Sequence, residues 1–207
     1  MLFLNKRENP HLNLTVQNKV LEQKEVLTFL GVEIDSKLTW KHHINHICNK
    51  ISKSIAILRI LRHTFPQHIL LTLYMSLIHS YINYCVIIWG SAYFCHLKPL
   101  IVLQKKAIRI ITNSKFRDPS APILYMLKIL PVFKVFELNC LKFMYRCLYE
   151  NSFPYFKERL MNLNSSHDHA TRYKSRLLPP FERLELCKNA FFCKSIHLWN
   201  NLNSNIK

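Results

Sequence analysis

The spacing of hydrophobic and polar positions changes period once along this chain, near Trp40. Before that point, "LNLTV" (12–16) and "VLTFLGVEID" (26–35) alternate apolar and polar residues at period two, many of them β-branched. This pattern predicts strands and a hairpin. After it, Ile44, Ile47, Cys48, Ile51, Ile55 and Leu58 follow 3, 4, 7 spacing. They predict one apolar stripe on a helix of about 20 residues.

Pro66 suits the first turn of a second helix, from Gln67 to about Tyr81. A third, from about His96 to Thr112, turns Leu100, Leu103, Ala107, Ile108 and Ile111 inward. On that helix Lys98, Lys105 and Arg109 fall within a narrow arc opposite. "DPSAP" (118–122) breaks the chain. Beyond it, "LPVFKVFELNCLKFMYRCLYEN" is an amphipathic helix whose aromatics and Met144 are core candidates. Residues 162–180 read as an irregular basic loop, and Glu182 to Asn200 as a last helix. Trp40, Trp89 and Trp199 are assigned to packing. The sum is a mainly α protein with a short N-terminal β-hairpin region, an α+β chain.

Composition sharpens this picture. Only two glycines occur, which disfavours Gly-rich phosphate loops and hairpin-dense β architecture. Lys and Arg number 29 against 12 acids, a net charge of +17, for which a polyanion is the default partner. The charge is uneven. Residues 1–40 are neutral, whereas Ser36 to Arg117 contain no Asp or Glu and twelve Lys and Arg. The seven cysteines lie mostly in apolar runs, none at CxxC spacing, and no signal-peptide pattern opens the chain. An intracellular, reducing setting with free thiols is expected.

The densest cluster of chemistry-bearing residues is "WKHHINHICNK" (40–50). At ~100° per residue, His42 and His46 share a side of the helix away from the apolar stripe, and Cys48 joins the stripe. Two histidines do not complete a zinc site, and Asn45 stands where a zincin motif needs Glu. The expectation is solvent-side or nucleic-acid-facing histidines beside a buried thiol. Glu33 and Asp35 share one strand face and read as solvated edge charges rather than a metal pair. The three Asp (35, 118, 168) are scattered, so the bridging carboxylates of two-metal catalysis are not in evidence. No GxSxG element occurs, though a Ser-His-Asp or Cys-His arrangement stays open on residue types alone. The uncharged run 69–90 is long enough for a membrane span, but Thr72, Ser76, His79, Ser80 and Asn83 interrupt it. A buried pair of core helices is the expected form.

Several stretches, taken in order, resemble one family. "FLGVEIDSKLTWKHHI" (29–44) is similar to the FLGV-x-ID-x-x-L-x-W-x-x-HI signature of non-LTR retrotransposon reverse transcriptases of the jockey and CR1 type. "LYMSLIHSYINYCVIIWG" (73–90), "LQKKAIRIIT" (103–112), "HDHATR" (167–172) and "LWNNL" (198–202) resemble further stretches of that family in the same order. The chain departs from it at His169, where the family has an aromatic, and in "LQKKA" for "LQNKA".

The resemblance implies the C-terminal part of an RNA-directed DNA polymerase. Its palm end and primer-grip-like hairpin would occupy 1–36, a helical thumb-like basic domain 37–117, and a helical extension 118–207. The family's Tyr/Phe-x-Asp-Asp loop would lie upstream of Met1, so the chain is expected to be non-catalytic, with no cofactor of its own. Mg²⁺ is implied only for a full-length parent enzyme. Phe29, Leu30 and Gly31 match the hairpin that grips the primer strand, and Gly31 would let backbone approach it closely.

The expected partner is RNA or an RNA–DNA duplex, met by Lys50, Lys53, Arg59, Arg62, Lys98, Lys105, Lys106 and Arg109. No small-molecule substrate is expected. Two alternatives stand beside this reading: a decayed open reading frame with no independent function, and a small basic membrane-associated protein using 69–90.

Overall fold

The structure, a computed structural model, describes residues 14–20, 22–150, 152–164, 177–180, 187 and 190–202. The protein is mainly helical, with two small antiparallel sheets near the N-terminus. The loop expected at 162–180 and the start of the helix expected at 182–200 lie largely outside the described residues. The chain forms two compact units, one comprising 1–85 and 92–132, the other 86–91 and 133–207.

In the first unit, β1 (Thr15–Val16) pairs with β2 (Lys19–Val20), and β3 (Val26–Phe29) pairs with β4 (Val32–Asp35). Phe29 lies opposite Val32, so Leu30 and Gly31 alone make the turn. Both have positive φ, 47° and 77°, as the favoured primed turn of a two-residue hairpin demands. Glycine suits its position; leucine pays backbone strain at the other.

Helix α1 (Lys41–Leu61) follows. Its stripe Ile44, Ile47, Ile51, Ile55 and Leu58 is buried, and each such side chain is worth about 1.5–3 kcal/mol of burial. The stripe packs against α5 (Phe94–Ile111), whose Leu100, Ala107, Ile108 and Ile111 are buried as the spacing predicts. Between them in sequence run α2 (Gln67–Tyr74), a π turn (Met75–His79) and the short α3 (Ser80–Asn83). The Ser54 hydroxyl of α1 donates to the Leu77 carbonyl in that π turn at 3.1 Å.

Helical backbone runs on from Gln67 to Asn83 through the π turn, matching the helix expected from Gln67 to about Tyr81, and Cys85 at φ 50° interrupts the uncharged run 69–90 after it. Among the described residues, no helix is long and apolar enough to cross a membrane. Helix α6 (Ser120–Met126) packs on α5 and completes this unit.

One side chain inside this unit was expected nowhere. Gln104 of α5 is buried, although an amide in the core needs partners to be tolerated. Its Nε2 donates to the Tyr74 hydroxyl (3.1 Å) and the Leu130 carbonyl (2.9 Å). Its Oε1 accepts from the Val132 amide (3.1 Å), tying down the first residue of α7 (Val132–Tyr149).

The second unit contains α4 (Val86–Trp89), the body of α7, α8 (Pro154–Asn164) and α9 (Phe191–Asn200). Met144, Cys147, Leu160, Leu177, Ile196 and Trp199 form its core. Phe143 stacks on Phe153 at 5.0 Å and meets Phe156 and Phe191 edge-on. Of the core candidates on α7, Phe136 and Met144 are buried, whereas Phe133, Tyr145 and Tyr149 are exposed. Asn200 brackets Leu177, donating to its carbonyl (2.7 Å) and accepting from its amide (3.0 Å).

Candidate nucleic-acid interface

The hairpin presents its tip outward. Phe29 and Leu30 are 61% and 74% exposed, and Leu27 on the same strand is also exposed, while Val32 of β4 is buried. Hydrophobic burial therefore anchors one strand and leaves the "FL" pair at the turn free to meet something else. The tip is nevertheless fixed. The Tyr84 hydroxyl, just beyond α3, donates to the Leu30 carbonyl at 2.6 Å.

Asp35 fixes the other end of the hairpin. Its carboxylate accepts from the amides of Lys37 (3.1 Å), Thr39 (3.0 Å) and Trp40 (2.8 Å), and from the Thr39 hydroxyl (3.2 Å). Burial alone would raise its pKa, but these donors outweigh it and hold the carboxyl below the ordinary carboxylate value. The carboxylate thus organises the turn into α1, where Leu38 and Trp40 sit at φ 53° and 63°. Asp35 is consequently no solvated edge charge; it is 7% exposed. Glu33 also finds a partner, His46 Nδ1, at 3.2 Å.

The histidines divide differently from the sequence expectation. His42 is exposed and His46 half-buried, but His43 is buried at 2% exposure. The helix angle set His43 midway between faces; the hairpin, packed on α1, decides the matter. The Glu33 amide donates to His43 Nδ1 at 3.3 Å, which fixes that nitrogen as an unprotonated acceptor. Burial pushes the His43 pKa down, partly opposed by the Glu33 charge. Cys48 is half-buried rather than core, and burial raises its thiol pKa. Among the described residues, no group of three His, Cys, Asp or Glu is placed to hold a metal ion.

The basic residues that the sequence singles out, from Lys50 to Arg109, all belong to the first unit. Lys50, Lys53, Arg59 and Arg62 on or just after α1 are exposed, as are Lys98 and Lys106 on α5. Lys105 is half-buried. Arg109 is engaged: its Nε (3.1 Å) and Nη2 (2.9 Å) both donate to the Asp118 carbonyl, clasping the loop after α5. The packing of α1 on α5 brings the two basic helices together. Gly31 and Lys50 line one cleft of about 310 Å³ with His43, His46, Ile47 and Tyr84. The α5 cations are not part of that cleft.

Tyr81 and Tyr84 were missed by sequence reasoning, and Glu33, read there as a solvated edge charge, is paired with His46. The two tyrosines at i, i+3 in "YINY" carry a face signal, but only the fold shows that it meets the hairpin. The chain matches no family model, no curated protein and no solved structure.

Proposed function

We propose that this chain is the C-terminal part of a retrotransposon RNA-directed DNA polymerase, comprising a palm end, a thumb-like helical portion and an extension. It is non-catalytic by itself, and its residual activity is binding an RNA–DNA or RNA duplex. The observation that carries the reading is the fixed hairpin whose apolar tip, Phe29 and Leu30, stands exposed and packs through β4 on a basic helix. The ordered series of family-like stretches supports it, as does an acid-free run of 82 residues, Ser36 to Arg117. Exposed Lys50, Lys53, Arg59, Arg62, Lys98 and Lys106 suit phosphate contacts that carry no sequence information. Lys105 joins them from a half-buried position, whereas Arg109 serves the loop first.

The test is fluorescence anisotropy with an RNA–DNA hybrid between about 50 and 200 mM salt, where several neutralised phosphates make affinity fall steeply. Replacing Lys53, Arg59 and Arg62 together by Gln should weaken binding and flatten the logarithmic salt slope by about 0.9 for each lost contact. Binding that is absent, or indifferent to salt, refutes the reading.

A further inference from the structure

The cleft beside the hairpin has a construction that duplex binding does not require. Four residues of α1 line it, His43, His46, Ile47 and Lys50, at i, i+3, i+4 and i+7. That spacing is a single stripe about 10 Å long on the helix. The imidazoles stand at the hairpin end, the apolar Ile47 in the middle and the ammonium at the far end. Ser80, Tyr81 and Tyr84 complete the lining with Gly31, where an added Cβ would rest 3.8 Å from the Tyr84 ring.

Each wall is held in place. Tyr84 is bonded to the Leu30 carbonyl, His46 to Glu33, and His43 to the Glu33 amide. The Lys50 ammonium lies 5.3 Å from the Tyr81 ring centroid, a cation–π contact that keeps it at the cleft. A volume of about 310 Å³ falls at the small end of sites for organic ligands. The lining is mainly apolar and aromatic with a few convergent polar groups, the usual composition of such sites.

We propose that this cleft binds a small planar heterocycle carrying one anionic group, of the chemical class of a nucleoside monophosphate. The ring lies over Ile47 and against the tyrosines, its polar edge faces the imidazoles, and the anion meets Lys50. Charge complementarity favours this occupant, because Lys50 lines the cleft and the Glu33 carboxylate is already paired with His46. The inference concerns a free ligand and stands apart from the duplex reading, although Gly31 and Lys50 belong to both.

The two glycines make the test direct. A full-length sample labelled with ¹⁵N-glycine gives two amide cross-peaks: Gly31 in the cleft and Gly90, in the other compact unit, as internal control. Adenosine 5′-monophosphate, adenosine and inorganic phosphate are titrated separately. The expected result is a saturable shift of Gly31 with the monophosphate, at lower concentration than with adenosine or phosphate, while Gly90 stays still. Lys50→Gln, at an exposed position, should weaken the monophosphate about tenfold, as loss of one charge-assisted contact does, and leave adenosine unchanged. Tyr81→Leu should weaken adenosine and monophosphate alike.

Equal shifts with phosphate alone would reduce the cleft to a generic cation contact and overturn the proposal. No Gly31 shift at millimolar ligand would do the same. Neither result bears on duplex binding, which the Lys53, Arg59 and Arg62 substitutions test on residues outside the cleft lining.

Discussion

The Tyr84 hydroxyl donates a 2.6 Å hydrogen bond to the carbonyl of Leu30, a residue held at φ 47° on the hairpin turn. A leucine there is strained, because left-handed backbone crowds its Cβ; Asn or Asp would suit the first position of this turn far better. The strain is retained at an exposed apolar tip, where a contact outside the hairpin would explain it.

Leu30→Asn should therefore stabilise the hairpin by about 1 kcal/mol through relief of that strain. Amide exchange across 26–35 should slow accordingly. Under the proposed function, the same substitution weakens hybrid binding, since it removes the apolar tip. Tyr84→Phe should act in the opposite sense on exchange, loosening the turn while leaving the unfolding midpoint of the whole chain nearly unchanged.

Gln104 is the polar group on which the first unit depends most. Gln104→Ala leaves the Leu130 carbonyl, the Val132 amide and the Tyr74 hydroxyl without their partner, at about 1–3 kcal/mol for each buried group stranded. Urea unfolding should show a loss of at least about 3 kcal/mol. Gln104→Glu should rescue little, because a carboxylate accepts from Val132 but cannot donate to the Leu130 carbonyl.

Acid should loosen the hairpin from α1. His43 has its pKa lowered by burial, so the unfolded chain takes up its proton first as pH falls. The stability this adds is complete above the ordinary histidine value of about 6.5 and is lost as pH drops through the lower folded value. His79, also lowered by burial, adds in the same direction. The protection factor of the Glu33 amide, which donates to His43 Nδ1, should fall between about pH 7.5 and 5, even though intrinsic exchange slows over that range. His43→Gln should flatten that dependence. Asp35 works in the same sense only at much lower pH, below the ordinary carboxylate range, because its donors depress its pKa.

Gly90 has no freedom to change. A Cβ there would lie 2.5 Å from the Val86 carbonyl oxygen and 2.6 Å from the Phe136 ring. Gly90→Ala should destabilise the second unit by about 1–3 kcal/mol, measured as a lower midpoint for the tryptophan fluorescence of Trp199 in that unit's core.

The sequence by itself determined the hairpin at 26–35, the apolar stripe of α1 and the buried face of α5. Periods of two and 3.6 are backbone geometry, and burying one face is enough to read them. It also determined the exposure of Lys50, Lys53, Arg59 and Arg62, because long charged side chains stay in water unless paired. Only tertiary structure decided which intermediate positions became interior. His43 lies between the faces of α1, and Gln104 is a polar residue within the apolar face of α5; each is buried because a distant amide or carbonyl arrives to bond it. The same applies to Arg109, placed by its angle on a solvent-facing arc and recruited by the Asp118 carbonyl. A hydrogen bond between residues far apart in the chain leaves no local pattern. It exists only once the helices have packed and brought donor to acceptor.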